Sequence, residues 1–172
     1  MKLKKIIIGV GGNLKSHNGS HPIEIAENAI THFEDYSIAV TNQSSWYESE
    51  PIPKSDQPNF FNCIIFATTS LNELDVLKSL HKIEHLFGRR RNIVNEARTI
   101  DLDLIDYSSK ILSNDRVILP HPRAHQRKFV LEPLAELDPN WIHPVLKINV
   151  FQILKKLDYQ KINIYNKNKI LF

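Results

Sequence analysis

The chain has 172 residues, the usual size of one domain, and is long enough to bury a sizeable core. Hydrophobic residues make up 42% and charged residues 24% of the sequence, a balance that excludes wholesale disorder. Apolar runs such as residues 6–10 are far shorter than the roughly 18 residues of a membrane span. A net charge of +3 permits an anionic ligand without indicating a protein that coats nucleic acid.

Cysteine usage and the N-terminus favour a cytoplasmic protein. The single cysteine, Cys63, cannot form an internal disulfide, which fits a reducing compartment. Residues 1–5 are basic, but the apolar run behind them is short and is not followed by a small-residue cleavage site. We therefore expect one cytoplasmic domain over residues 1–172, acting as a monomer and without a membrane partner.

The first part of the chain predicts three strands and one helix. Residues 50–58 hold three prolines, which lack the N–H that a central strand needs, so this segment is a predicted loop. In chain order the predicted elements are a strand at 5–10, a helix that begins near Pro22 and carries Ala26, Ile30 and Phe33 on one face, a long strand at 37–47, and a strand at 60–68.

Residues 70–88 show the strongest helical pattern. Ser70 and Glu73 are spaced as a capping box, and Gly88 is placed to end the helix. The apolar residues of this segment recur at helical spacing and form one face, which consists of Leu74, Leu77, Leu80, Ile83 and Phe87.

The remaining elements indicate the fold class. Residues 89–97 are polar and lack periodicity, whereas residues 99–107 alternate apolar and acidic side chains as a strand does. The order is then β-α-β-β-α-β, which predicts a ferredoxin-like α+β fold, an antiparallel sheet with helices on one face. A C-terminal extension follows, with a helix near 128–135 and a helical pattern over 150–157.

Two aspartates in the last of these strands form a candidate metal site. Side chains alternate along a strand, so Asp101 and Asp103 share one face while Leu102 and Leu104 point into the core. Same-face neighbours have Cα atoms about 6.6 Å apart, near enough for both carboxylates to serve one magnesium ion or a metal pair. A solvated acidic strand face is the alternative, which an isolated D-x-D pair does not exclude.

Arginines near this strand supply the opposite charge. Arg89, Arg90 and Arg91 begin the polar loop, and Arg98 lies just before the acidic strand. Magnesium bridges phosphate oxygens, and guanidinium groups bind the remaining oxygens bidentately. An arginine run alone is typical of a solvated surface loop, but together with the aspartates it favours a triphosphate site.

Aromatic residues offer a second kind of binding surface. Phe60 and Phe129 could be core residues, or they could stack on the two faces of a flat heterocycle. Asn62 lies two residues beyond Phe60 on the same face of the predicted strand, and its amide offers a donor and an acceptor to the edge of such a ring. This combination suits a pterin.

Residues 97–104, Ala-Arg-Thr-Ile-Asp-Leu-Asp-Leu, resemble the signature of the 6-hydroxymethyl-7,8-dihydropterin pyrophosphokinase family of folate biosynthesis. The similarity runs from Gly12 to about Leu137. The other segments that carry it are 12–14, 56–62, 83–89 and 119–129.

The resemblance implies an enzyme that transfers pyrophosphate from ATP to the hydroxymethyl group of 6-hydroxymethyl-7,8-dihydropterin and releases AMP. It implies that Asp101 and Asp103 hold two Mg²⁺ ions on ATP, and that Arg89 and Arg98 are catalytic. The residues that it assigns to the pterin are Ser49, Pro51, Ile52, Phe60, Asn62 and Phe129. The residues that it assigns to ATP are Arg89, Arg91, Arg98, Arg116, His121 and Arg127.

Two segments depart from the family pattern. Residues 92–97 lack the tryptophan and the Gly-Pro pair that usually precede the signature arginine. Ser-Glu-Pro-Ile at 49–52 replaces the familiar Thr-Pro-Pro-Leu, a milder change because mostly backbone is thought to be used. His121 stands between two prolines, where a structural turn histidine is an alternative to a phosphate ligand.

Two other functions use similar features. Ferredoxin-like sheets with exposed aromatic residues also bind single-stranded RNA, but residues 60–63 lack the RNP pattern, and two carboxylates would repel a phosphate backbone. A magnesium-dependent nuclease or nucleotidyltransferase would use a D-x-D pair equally well. We expect no nucleic-acid partner, and release of AMP that requires the pterin would separate the three functions.

Overall fold

A computed structural model describes residues 2–88 and 97–166 of the chain. The strands are β1 (Lys4–Gly12), β2 (Ile38–Gln43), β3 (Tyr47–Ser49), β4 (Phe60–Thr69), β5 (Asp101–Tyr107), β6 (Leu112–Ser113), β7 (Ile118–Leu119) and β8 (Ile162–Ile164). The helices are α1 (Pro22–Thr31), α2 (Glu73–Leu86), α3 (Lys128–Leu137) and α4 (Val150–Leu154). None of the helices in the described ranges is both long enough and apolar enough to span a bilayer.

The strands form one main sheet with antiparallel pairing. β1 lies between β5 and β4, and β2 and β3 pair one after the other with the far edge of β4. β8 extends the sheet beyond β3, while β6 and β7 form a separate hairpin. The order β5-β1-β4-β2, with α1 and α2 as the crossover helices, is that of a ferredoxin-like fold. The predicted fold class is therefore confirmed.

The predicted strand at 37–47 is in fact two strands, β2 and β3, so that detail of the prediction was wrong. Ser44 stands at the break. Its backbone N–H donates to the carbonyl of Ile64, and its Oγ accepts from the N–H of the same residue, both at 2.9 Å. The hydroxyl of Ser44 thus replaces a backbone carbonyl as hydrogen-bond acceptor for β4. The backbone can therefore leave strand geometry between β2 and β3.

The start of α2 also differs from the prediction. Asn72, rather than Ser70, is the N-cap, and its Oδ1 accepts from the N–H of Asp75 at 2.9 Å. The end of the helix is as predicted, because Gly88 follows it with a φ of +79°, a conformation that favours glycine. In α1, Pro22 lies in the first turn as expected.

Apolar side chains pack on both faces of the sheet. On one face, Ile8 packs with Leu80 beneath α1 and α2. On the other face, Ile7 and Ile105 pack with Leu131 beneath α3 and α4. Alternation along a strand sends neighbouring residues to opposite faces, so β1 contributes to both cores. The C-terminal extension thus covers the second face, which the prediction of helices on one face had left open.

Candidate active site

A cavity of about 490 Å³ lies where the beginnings of β4 and β5 and the second half of β1 meet the start of α3. Its charged and hydrogen-bonding lining includes Arg98, Asp101, Asp103, Arg123, Gln126 and Arg127. Its other wall includes Ser49, Pro51, Ile52, Phe60, Asn62 and Phe129. The cavity brings together the two aspartates and all six residues that were assigned to the pterin.

Strand register sets the distance between these two groups. Asn62 on β4 is paired with Gly11 on β1, which is paired in turn with Asp101 on β5. Neighbouring strands lie about 4.8 Å apart, so the Cα atoms of Asn62 and Asp101 are roughly 10 Å apart across the sheet. A β-carbon at Gly11 would collide with Oδ1 of Asn62, so only glycine leaves room for the Asn62 side chain at this point of the cavity lining.

Each aspartate has an arginine beside it. Asp101 Oδ2 accepts a hydrogen bond from Arg98 Nη1 at 2.8 Å. Asp103 Oδ2 lies 3.6 Å from Arg127 Nη1 and 3.9 Å from His121 Nε2. Burial, ahead of the neighbouring charges, lowers the pKa of Arg127. The site therefore holds opposite charges in direct contact inside one cavity.

Glu84 on α2 holds the strand segment between the two aspartates. Its side chain is only 2% exposed, and its Oε1 accepts from the N–H of Leu102 at 2.8 Å. Among the described strands β5 stands at the edge of the sheet, and there the carboxylate accepts the N–H that a neighbouring strand would otherwise bind. This bond fixes the peptide from which Asp101 and Asp103 project.

Asn13 joins two loops that border the cavity. Its Oδ1 accepts from the backbone N–H of Arg98 at 2.9 Å, and its backbone N–H donates to the carbonyl of Arg98 at 2.9 Å. Its Nδ2 donates to the carbonyl of Pro58 at 3.1 Å and to Oε1 of Gln57 at 3.3 Å. Arg98 is therefore held by its backbone, which leaves the guanidinium to face the site.

His121 is a neutral hydrogen-bond donor at the edge of the charged cluster. Burial, followed by the charges of Arg127 and Arg123, lowers its pKa to about 4. Its Nδ1 accepts from the N–H of Arg123 at 3.2 Å, so the proton of the neutral ring is on Nε2. That nitrogen is the one nearest Asp103.

The predicted pterin residues form a partly buried wall. Asn62 is 8% exposed, and its Nδ2 donates to Ser49 Oγ at 3.3 Å. The guanidinium carbon of Arg127 lies 5.5 Å from the centre of the Phe129 ring, within cation–π distance. The aromatic wall and the charged end of the cavity thus meet at α3.

A hydrogen bond ties the two sides of this wall together. The hydroxyl of Tyr47 on β3 donates to Glu136 Oε2 on α3 at 2.9 Å, and Ser45 donates from both its N–H and its hydroxyl to Oε1. Burial, and then the carboxylate of Glu136, raise the pKa of the Tyr47 phenol. The tie fixes β3, which carries Ser49, against the helix that carries Phe129.

Two residues assigned to ATP, Arg116 and His121, are described by the structure and do not line this cavity. Arg116 lines a separate depression of about 400 Å³ beside the start of α2, together with Glu73 and Asn114. Arg89 and Arg91 lie outside the described residues. His121 contacts the cluster through Asp103 without lining the cavity.

Sequence analysis did not assign roles to Asn13, Glu84 or Arg123. All three lie in segments that resemble the family, and that similarity was the signal that could have found them. The contacts of Asn13 to Arg98 and of Glu84 to Leu102 join residues that are distant in sequence, and hydrophobic periodicity does not indicate such contacts.

The donor set fits magnesium bound together with phosphate. Asp101 and Asp103 supply carboxylate oxygens, the ligand type that Mg²⁺ prefers. Within residues 2–88 and 97–166, no group of three or more His, Cys, Asp or Glu side chains is arranged to hold a metal ion. Two protein carboxylates suffice for Mg²⁺, which usually keeps several waters and binds substrate phosphates as well.

Comparison with known proteins shows the family. The protein-family model described as 7,8-dihydro-6-hydroxymethylpterin-pyrophosphokinase matches residues 7–139 of this chain. The chain is 36% identical over 152 residues to a 2-amino-4-hydroxy-6-hydroxymethyldihydropteridine pyrophosphokinase of Synechocystis sp., a match that covers 88% of this chain and 75% of the relative. It is 34% identical over 152 residues to the folic acid synthesis protein fol1 of Pneumocystis carinii, covering 88% of this chain and 20% of that relative.

A solved structure shows the same fold. The HPPK-DHPS triple mutant of Plasmodium falciparum with SDX-DHP superposes with a TM-score of 0.65 at 15% identity, over 90% of this chain and 44% of that chain. The chain therefore spans less than half of this structure, and a fifth of the Pneumocystis carinii relative. With a family model that covers most of its length, the chain belongs to the 7,8-dihydro-6-hydroxymethylpterin-pyrophosphokinase family.

Proposed function

We propose that this chain transfers a pyrophosphoryl group from ATP to the hydroxymethyl group of 6-hydroxymethyl-7,8-dihydropterin. The hydroxymethyl oxygen attacks the β-phosphorus, the bond from that phosphorus to the α,β-bridging oxygen breaks, and AMP leaves. The hydroxyl proton is released to solvent. One observation carries the proposal: a single cavity is lined both by paired aspartates with arginines and by the amide of Asn62 with the aromatic rings of Phe60 and Phe129.

The aromatic end is suited to a pterin. Phe60 and Phe129 can cover the two faces of the bicyclic ring, and the amide of Asn62 can donate to and accept from its edge. Backbone groups near Pro51 and Ile52 add further partners. Asn62 and Asp101 line the same cavity with Cα atoms roughly 10 Å apart, a separation that suits the ring and its hydroxymethyl arm.

The charged end is suited to a polyphosphate. Asp101 and Asp103 would hold magnesium, for which we propose two ions, and the bound metal would neutralise phosphate charge and help to hold ATP in line. Arg98 and Arg127 now contact these carboxylates, and each can exchange its carboxylate for phosphate oxygens when ATP arrives. His121 can donate from Nε2 to a phosphate without adding charge.

Three further arginines stay predictions for the nucleotide. Arg89 and Arg91 are proposed as phosphate ligands, with Arg89 also catalytic, by similarity to the family alone. Arg116 is proposed on the same ground, although it lines a separate depression. Location in the cytoplasm and a monomeric state also stay predictions.

The reaction is tested by incubating the protein with ATP, magnesium and 6-hydroxymethyl-7,8-dihydropterin and measuring AMP. We expect AMP only when the pterin is present, in equal amount to the pterin pyrophosphate. A nucleotidyltransferase or nuclease would release its products without the pterin. An RNA-binding module would bind single-stranded RNA and form no AMP, so either result would contradict the proposal.

The aspartates are tested by replacing each one with alanine. We expect Asp101→Ala and Asp103→Ala to abolish magnesium-dependent AMP formation, because each removes a carboxylate ligand, while the far-UV circular dichroism spectrum stays unchanged. Glu132→Ala, which removes a carboxylate from α3 that does not line the cavity, is the control and should keep its activity. Full activity in both aspartate variants would disprove the metal assignment.

A further inference from the structure

Arg123 differs from the other two arginines that line the cavity. Arg98 and Arg127 each contact one of the aspartates. Within residues 2–88 and 97–166, the guanidinium of Arg123 has neither a hydrogen bond nor an ion pair, although the residue is exposed and lines the same cavity. Its donors are therefore available to a ligand.

The backbone around Arg123 is fixed by a short turn. Its N–H donates to His121 Nδ1 at 3.2 Å, and its carbonyl accepts from the N–H of Gln126 at 3.1 Å. Next to it, Ala124 is fully buried and donates its N–H to the carbonyl of His121 at 3.0 Å. A mobile surface loop would not direct a side chain in this way, whereas this turn presents Arg123 at the rim of the cavity.

Arg123 adds a third arginine to a cavity that Arg98 and Arg127 also line. Arg98 and Arg127 each contact an aspartate, whereas Arg123 has no ion pair within residues 2–88 and 97–166. Like charges that line one cavity repel one another, and water screens the largely buried Arg127 poorly. A bound polyanion would turn this repulsion into attraction, whereas an arginine that only solvates the surface gains nothing from the placement.

We infer that Arg123 is a further phosphate-binding residue, whose guanidinium binds non-bridging oxygens of the ATP polyphosphate at the mouth of the cavity. The identity of the nucleotide rests on the proposed function, but the anion site does not. Arginine is suited to this role because its planar fork binds phosphate oxygens bidentately, which lysine cannot do. Because no carboxylate among the described residues forms an ion pair with Arg123, it can contact the phosphates before Arg98 and Arg127 exchange partners.

The inference is tested by calorimetric binding to the full chain. The probes are ATP with an α,β-methylene bridge, inorganic tripolyphosphate, and the hydroxymethyl pterin, all with magnesium. We expect Arg123→Ala to weaken both phosphate probes by about 10-fold and to leave the pterin affinity unchanged. Arg123→Lys should restore part of the affinity. Lys155→Ala, which removes an exposed positive charge from the end of α4, should bind like the original chain.

Three results would overturn the inference: unchanged phosphate binding in Arg123→Ala, a loss no larger than that of Lys155→Ala, or an equal loss of pterin binding, which would indicate a structural role. Failure of the proposed function looks different. If the original chain forms no AMP from the pterin but binds tripolyphosphate in a manner that depends on Arg123, then the reaction is wrong and the anion site stands. If AMP forms and Arg123→Ala binds ATP normally, then only the site is wrong.

Discussion

Arg98 is held at both ends, by Asn13 at its backbone and by Asp101 at its guanidinium. Such preorganisation is what stabilisation of developing phosphate charge requires, because little energy is then spent on orienting the group during the reaction. The bond to Asp101 also means that Arg98 neutralises this carboxylate until it exchanges it for phosphate oxygens.

We expect Arg98→Ala to lower kcat by about 100-fold or more and to change the KM for the pterin little, because the lost contact is to phosphate rather than to the ring. Steady-state rates of AMP formation at varied pterin and ATP check this. Arg98→Lys keeps the positive charge but loses the planar guanidinium, so its kcat should lie between that of the original chain and that of Arg98→Ala. An unchanged kcat in the alanine variant would remove the transition-state role.

At the level of single residues, the sequence predicts what local periodicity determines. Strand alternation placed Asp101 and Asp103 on one face, and the structure has both lining the cavity. Partners that are distant in sequence were not predictable in this way. Asn13 contacts Arg98 across 85 positions and Glu84 contacts Leu102 across 18, and no local pattern indicates which loop will meet which.

At the level of elements, Glu84 links α2 to β5 through the N–H of Leu102. We expect Glu84→Ala to lower the free energy of unfolding by about 1–3 kcal/mol, because the N–H of Leu102 loses its acceptor in a buried place. The same change should reduce AMP formation by letting the aspartate segment move. Urea unfolding and the AMP assay measure the two effects.

Glu84→Gln serves as the matched control for this prediction. Its side chain has almost the same shape and keeps an oxygen that can accept from Leu102, so most of the stability should remain. Equal losses in the glutamine and alanine variants would show that the charge, rather than the acceptor, is what the strand edge needs.

The elements themselves were predicted best where they are long and periodic. α2 and β4 have strong patterns and appear with nearly the expected bounds. The break between β2 and β3 was missed because Ser44 acts through a side-chain bond to a strand that lies 20 positions away. The cap of α2 was misassigned because Ser70 and Asn72 are both good caps, and only the path of the chain selects Asn72.

At the level of the whole molecule, the same strands build both cores. On β1, Ile6 and Ile8 face one core while Ile7 faces the other. Neither helical layer can therefore separate without exposing apolar side chains of the sheet to water. The sequence could not show this division, because the pattern of the C-terminal helices does not state which face of the sheet they cover.

We propose that residues 1–172 unfold as one domain, and the two tryptophans allow the proposal to be tested. Trp46 packs against the core beneath α1 and α2, and Trp141 is buried in the core beneath α3 and α4. In urea, the fluorescence of Trp46→Phe and that of Trp141→Phe should each follow the far-UV circular dichroism of the same variant in one transition. Leu80→Ala and Leu131→Ala, one in each core, should each lower stability by about 2–5 kcal/mol and shift both probes together. If Leu131→Ala instead shifted only the signal of Trp141, the C-terminal layer would be a separate cooperative unit, and the wall that carries Phe129 could open while the site of the two aspartates stayed folded.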